Sequence, residues 1–402
     1  MVRTGLERLL DDRMDLVAGK RVAICCNHTA ITSDFVHIVD ALDARGVSLV
    51  RLFGPEHGVR ATAQDMEEVD ETRDPVTGVP TVSLYGDDEA SLHPLPEHFA
   101  DVDVVLFDIQ DIGARYYTYQ ATLGFVMRVA GKCGVPVVVL DRPNPIAGLL
   151  EGNLVHSGFE SFVGAFPIAV RHGLTMGELG RYFKAYCGVD CVLEVLEVEG
   201  WHRSQWFDET GLPWVYPSPN MPTLETATIY PGMCLFEATT WSEGRGTTRP
   251  FHLFGAPGVD PQRLVKACVE ESERAGLEGI AYRPAAFNPG FQKHAGGACT
   301  GVEVHVTDRS VLDAFLLGLV TIAAAYRSHR ALFSWRSEPY EFIEDVAAID
   351  LLTGSSRFRE MLESGAEVDY SALKRSWDPE LSAFEQRARS IMIYEGALER
   401  RK

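Results

Sequence analysis

Apolar runs of strand length recur along the first part of the chain, and each ends in a cluster of polar residues. The segment VSLVRLF (47–53) has the β-branched and aromatic character of a strand, interrupted only by Ser48 and Arg51. Gly54, Pro55 and Gly58 then supply turn geometry. The same grammar returns in RVAICCNHT (21–29), PTVSLYGDD (80–88), DVDVVLFDIQDIGARYYTY (101–119) and VPVVVLDRPNP (135–145). Helical stripes lie between these runs. Phe35, Ile38, Val39 and Leu42 keep the i, i+3, i+4, i+7 spacing with Gly46 as a stop, and Leu123, Val126, Val129, Ala130 and Cys133 form a second stripe that ends at Gly134. The alternation predicts right-handed βαβ crossovers and an α/β fold: a Rossmann-like, mostly parallel sheet with helices on both faces. VDCVLEVLEVEGW (189–201) adds strand character before WFDETGLPWVYPSPNMPT (206–223) changes the texture. The expected division is a Rossmann-like domain over 1–215 and a second, smaller α+β domain over 216–402 that completes a cleft.

Parallel strands put their exits on one edge of the sheet, which is where ligands bind in open α/β folds. That edge gathers Asn27, Glu56, His57, Asp108, Gln110, Asp111, Asp141, Arg142 and Asn144. Glu56 and His57, in FGPEHGVR (53–60), follow their strand most directly. Two later loops read as site builders: PSPNMPT (217–223), with Asn220, and SEGRGTTRPF (242–251), with Glu243, Arg245, Thr247 and Arg249. The second also fits a glycine-rich turn in which Glu243 pairs with Arg245 or Arg249. Glu178, three residues after Thr175, reads as a capping-box partner and not as a catalytic acid.

Composition narrows the chemistry. A net charge of −20, from 57 acidic against 37 basic residues, disfavours nucleic acid and anionic membrane surfaces as partners. The first twenty residues lack the apolar core of a secretion signal and no later run reaches membrane-spanning length, so the expectation is a soluble chain. Eight scattered cysteines read as reduced core residues, which favours the cytoplasm; Cys187 and Cys191 lack the second pair or histidine cluster of a zinc site. The first strand exits into CCNHTAITSD without G-x-G-x-x-G, SEGRGTTRPF lacks the G-K-[ST] of a P-loop, and no G-x-S-x-G elbow is present. These absences weaken dinucleotide, phosphate-cradle and serine-nucleophile readings. Carboxylate hydrolysis fits what is left: Glu56 as an acid tuned by His57 and apolar walls, with Asp108, Asp111 or Glu243 as the second group.

GPEHGVR, FDIQDIGARYYTY, VLDRPNP, PSPNMPT and SEGRGTTRPF, in this order, resemble the bacterial exo-β-N-acetylmuramidases of the NamZ type, formerly a domain of unknown function. GLERLL, SFVGAFPIAVRHGLTMGEL (161–179) and GVEVHVTDR (301–309) extend the resemblance over nearly the whole chain. It implies release of N-acetylmuramic acid from the non-reducing end of peptidoglycan fragments. The site would lie between a Rossmann-like and a second subdomain, with Glu56 as acid and no metal or nucleotide. It also implies that one of Arg60, Arg115, Arg142, Arg245 or Arg249 binds the lactyl carboxylate and that Tyr116, Tyr117 or Tyr119 offers a sugar-stacking face. A non-catalytic muropeptide-binding module is the alternative, and a nucleotide-dependent enzyme a third.

Overall fold

The computed structural model describes residues 2–56, 58–60 and 73–400. Six parallel strands form the main sheet: β1 (Arg21–Cys26), β2 (Ser48–Gly54), β3 (Thr81–Ser83), β4 (Val104–Asp108), β5 (Val137–Leu140) and β6 (Leu193–Leu196), in spatial order 3-2-1-4-5-6. β4 and β5 are buried at every position, as parallel strands covered on both faces must be, which is why they read as continuous apolar runs.

Successive residues of a strand face opposite ways, and the two cores follow that alternation. Val22, Ile24, Leu52, Val104, Leu106, Val138 and Leu140 pack against Leu6 and Leu9 of α1 (Gly5–Asp12) and Ile38, Val39 and Leu42 of α2 (Ile38–Asp43). Ala23, Cys25, Phe53, Val105, Phe107, Val137 and Val139 face the other way, toward α3 (Tyr119–Lys132) and α4 (Met176–Tyr186). This second core runs on without a break into the rest of the chain. The predicted stripe loses its first member. Phe35 is exposed at φ 63° in a turn closed by its own N–H donating to Thr32 O at 2.9 Å, so α2 starts only at Ile38.

The remainder carries a three-stranded antiparallel sheet, β7 (Leu253–Ala256), β8 (Ile280–Phe287) and β9 (Cys299–Val306), with β9 in the centre. Around it lie α5 (Leu224–Met233), α6 (Pro261–Ala275), α7 (Ala314–Ser328), α8 (Ala348–Thr353), α9 (Arg357–Glu363) and α10 (Tyr370–Arg389). The C-terminal tail then returns to the first sheet. Tyr394 Oη donates to Asp141 Oδ2 at 2.5 Å, Ile393 N donates to Glu178 Oε1 at 2.8 Å, and Glu399–Arg400 pairs in parallel with Leu149–Leu150. Glu178 does complete the capping box with Thr175, and it also holds the buried Arg203 guanidinium. The eight cysteines are free thiols; Cys133 is exposed and Cys187 half-buried, so these two are not core residues. No helix among the described residues is long and apolar enough to cross a membrane.

Candidate active site

β2 ends at Gly54, and the chain turns through Pro55 to bury Glu56 against the start of α3. There Thr118 donates its hydroxyl to Glu56 Oε2 at 3.2 Å. Tyr116, Tyr117 and Tyr119 flank Thr118 in sequence and join it in lining a cavity of about 30 Å³. Ser218, Met221, Tyr230 of α5, Glu237, Arg245, Phe251, Tyr340 and Glu341 complete its lining, with Val163. Tyr117 meets Tyr119 and Tyr230 edge-on at 5.1 and 5.4 Å, and Tyr230 meets Phe251 at 4.8 Å, which gives the cavity aromatic walls.

Arg245 is the cation in that lining. Gly244 and Gly246 flank it at φ 82° and 77°, where a Cβ would come within 2.8 Å of backbone atoms, so the glycines bend the loop tightly enough to turn Arg245 inward. Its guanidinium lies 2.6 Å from Glu237 Oε1 and over the Phe251 ring. A larger chamber of about 490 Å³ adjoins it, lined by Glu237, Glu243, Arg245, Gln292, Lys293 and His294 among others. Glu237 and Arg245 border both spaces, so their ion pair is the partition between them. Burial alone would raise the pKa of Glu243, but Lys293 at 2.9 Å and Arg245 hold it below the ordinary glutamate value. Glu243 is therefore a fixed counter-ion and a poor proton donor.

The family description "exo-beta-N-acetylmuramidase NamZ, N-terminal" matches residues 22–225, and its C-terminal counterpart matches 228–394. The chain belongs to the NamZ family. It is 39% identical over 395 residues to the peptidoglycan β-N-acetylmuramidase NamZ of Bacillus subtilis (strain 168), spanning 98% of this chain and 91% of that protein. Crystal structures of two DUF1343 family proteins from Bacteroides fragilis NCTC 9343 share the fold. One has a TM-score of 0.85 at 31% identity, the other 0.74 at 25%, each covering 98% of this chain and 99% of its own.

Within this NamZ fold the residues singled out from the sequence separate into two groups. Glu56, Tyr116, Tyr117, Tyr119 and Arg245 meet at the inner cavity, and Glu243 lines the outer chamber. The other described candidates line neither space. Asp108 takes a two-pronged bond from Arg142 at 2.5 and 3.1 Å, and Asp111 accepts Gly113 N at 2.7 Å beside His172. Asn27 accepts from Thr29 N and donates to Tyr119 Oη, Gln110 donates to Asp111 O and Pro143 O, and Asn144 donates to Leu174 O. Arg60 pairs with Asp40 and Asp74, Arg115 donates to the carbonyls of Asn153, Ile168 and Leu352, and Arg249 pairs with Glu303. Thr247 caps its own turn at Gly244 O, and Asn220 is buried between two cavity residues without lining the cavity itself. His57 lies outside the described residues.

Thr118, Tyr230, Glu237, Phe251, Tyr340 and Glu341 escaped the sequence reading. Thr118 could have been found, since it sits inside the YYTY run, and Glu237 stands a few residues before SEGRG. Tyr340 and Glu341 carry no sequence signal. A backbone signal marks the two spaces. Of eight described non-glycine residues at positive φ, Thr118, Phe251 and Glu341 line the inner cavity and Gln292 and His294 the outer chamber. Such conformations persist where the surroundings over-determine them, and they concentrate at working sites.

Proposed function

We propose that the chain is an exo-acting glycoside hydrolase that releases N-acetylmuramic acid from the non-reducing end of peptidoglycan fragments; its Bacillus relative is named a peptidoglycan β-N-acetylmuramidase and its family an exo-β-N-acetylmuramidase. The position of Glu56 carries the reading: a buried carboxyl at a strand exit, held by the Thr118 hydroxyl and walled by aromatic rings, on a cavity. Cleavage needs a proton on the glycosidic oxygen as the C–O bond breaks, and a carboxyl that lines the cavity is placed to supply it.

Arg245 suits the lactyl carboxylate. Asp108, the Asp40 and Asp74 pair, three backbone carbonyls and Glu303 engage the other four candidate arginines away from the cavity, whereas Arg245 borders both spaces. The inner space is water-sized, so a sugar enters only if the Arg245–Glu237 partition parts. A substrate carboxylate that takes Arg245 from Glu237 supplies that exchange, because a guanidinium binds either carboxylate in the same forked geometry. The Tyr117, Tyr230 and Phe251 rings then offer faces to the sugar. In this reading the chain divides near residue 215, and the two parts contribute opposite walls of the cleft.

The test compares an activated aryl muramide with an unactivated, sugar-linked one. Glu56→Gln should slow the unactivated substrate by about 10²–10⁴-fold and spare the activated one, because only the poor leaving group needs the acid. Wild-type turnover of the unactivated substrate by this variant overturns the assignment. Binding of muramic fragments with no sugar released over long incubation would identify a binding module instead.

A further inference from the structure

Two carboxylates besides Glu56 line the inner cavity, Glu237 and Glu341. Glu237 is committed elsewhere: its Oε1 faces Arg245 at 2.6 Å and accepts from Cys234 Sγ at 3.3 Å, and its Oε2 accepts from Tyr340 Oη at 2.8 Å. Its work is to place Arg245 and Tyr340.

Glu341 is placed by a turn. Tyr340 and Ile343 exchange both backbone hydrogen bonds, at 3.1 and 3.0 Å, around a two-residue turn in which Glu341 has φ 47° and Phe342 φ 68°. Turns with both central residues at positive φ normally use Asn and Gly, so this pair holds a costly backbone that a simple reversal of the chain does not need. The turn is pinned on both sides of the cleft. Tyr340 bonds Glu237, and the Phe342 ring lies 6.0 Å from that of Tyr85, just past the strand neighbouring the one that delivers Glu56. Glu341 sits between these pins, 9% exposed, on the water-sized cavity that Glu56 also lines.

We infer that Glu341 is the second carboxylate of the displacement, the group that takes the proton of the attacking water. The inference rests on the hydrolase reading above. The water oxygen bonds to the anomeric carbon as the glycosidic C–O bond breaks. One water proton passes to Glu341, and the leaving oxygen, which keeps the electron pair of the broken bond, takes the proton of Glu56. Exchange with solvent then restores a protonated Glu56 and an ionised Glu341. Catalysis thus draws one carboxyl from each part of the chain.

The same two muramides separate the roles. Glu341→Gln should lower kcat at least about 100-fold on both substrates, since water must be activated whatever the leaving group, while Glu56→Gln fails on the unactivated one only. A merely structural Glu341 would predict loss of product affinity and of melting temperature together with kcat. Here calorimetric affinity for muramic acid and Tm should stay near wild type, and Glu341→Asp should recover part of the rate. Turnover of Glu341→Gln within about threefold of wild type on either substrate overturns the assignment, with the hydrolase reading intact if Glu56→Gln is impaired. If Glu341→Gln does not fold, a folded Glu341→Asp with wild-type kcat on both substrates does the same. A wild-type protein that releases no sugar removes both claims together.

Discussion

At the exits of β1 and β4 the polar side chains bond to one another, whereas at the exit of β2 they face a cavity. The first place is where strand order reverses, the usual ligand crevice of an open α/β sheet. Here Arg142 pairs with Asp108, and Asn27, Thr29 and Gln110 bond to one another and to groups around them, beside a space of about 20 Å³. One strand further along, Glu56 meets loops from the second half of the chain at a cavity of about 30 Å³, beside a chamber of about 490 Å³ that Glu237 and Arg245 also line. A polar residue at a strand exit is thus a tie or a reagent according to whether a neighbour has already claimed it.

The contrast can be broken by exchanging effects between the two places. Glu56→Gln should cost the full catalytic factor given above with little change in Tm. Asp108→Asn should do the reverse: leaving Arg142 buried without its charge partner should destabilise the fold by about 3–5 kcal/mol while the folded fraction keeps its kcat. Equal catalytic losses in both variants would erase the distinction.

Asp141 at the β5 exit sharpens it through pH. Burial pushes its carboxyl up to about 6 against bonds from Tyr394, Thr175 and Gly177 that pull it down. A group raised in the folded state contributes stability that is complete below its unfolded value, near 3.8, and lost as pH rises through about 6. The difference is about 3 kcal/mol, so the Tm gap between wild type and Asp141→Asn should shift in that sense between pH 4 and 7. A pH-independent gap would rule out titration there. Arg245→Lys, which keeps the charge and loses the fork, should raise KM about tenfold for a muramide and leave an analogue without the lactyl carboxylate unaffected. Thr118→Val, which removes the hydroxyl and keeps the shape, should lower kcat a few-fold with Tm nearly unchanged; a Tm loss without a kcat loss would make Thr118 structural.

The parallel sheet was legible because β1, β4 and β5 are buried on both faces and leave unbroken apolar runs. α2 was overread because Phe35 fits a helical stripe by spacing, and nothing in composition reveals its left-handed turn. In the site, Glu56, the tyrosines and Arg245 came from motifs. Asp108 and Arg142 share the same texture but neutralise each other, a pairing that only coordinates reveal. Glu341 stayed hidden because its position depends on a backbone twist and on anchors from two distant segments.

The returning C-terminal tail sets an order on biosynthesis. Asp141 and Glu178 leave the ribosome long before Ile393 and Tyr394, which bond to them in the finished fold. Until residues 393 and 394 emerge, the nascent sheet carries two interior acids that lack these bonds, and an interior acid short of a partner is costly to bury. A chain truncated near residue 390 should therefore be retained by chaperones, even though every strand of the six-stranded and three-stranded sheets has already been made.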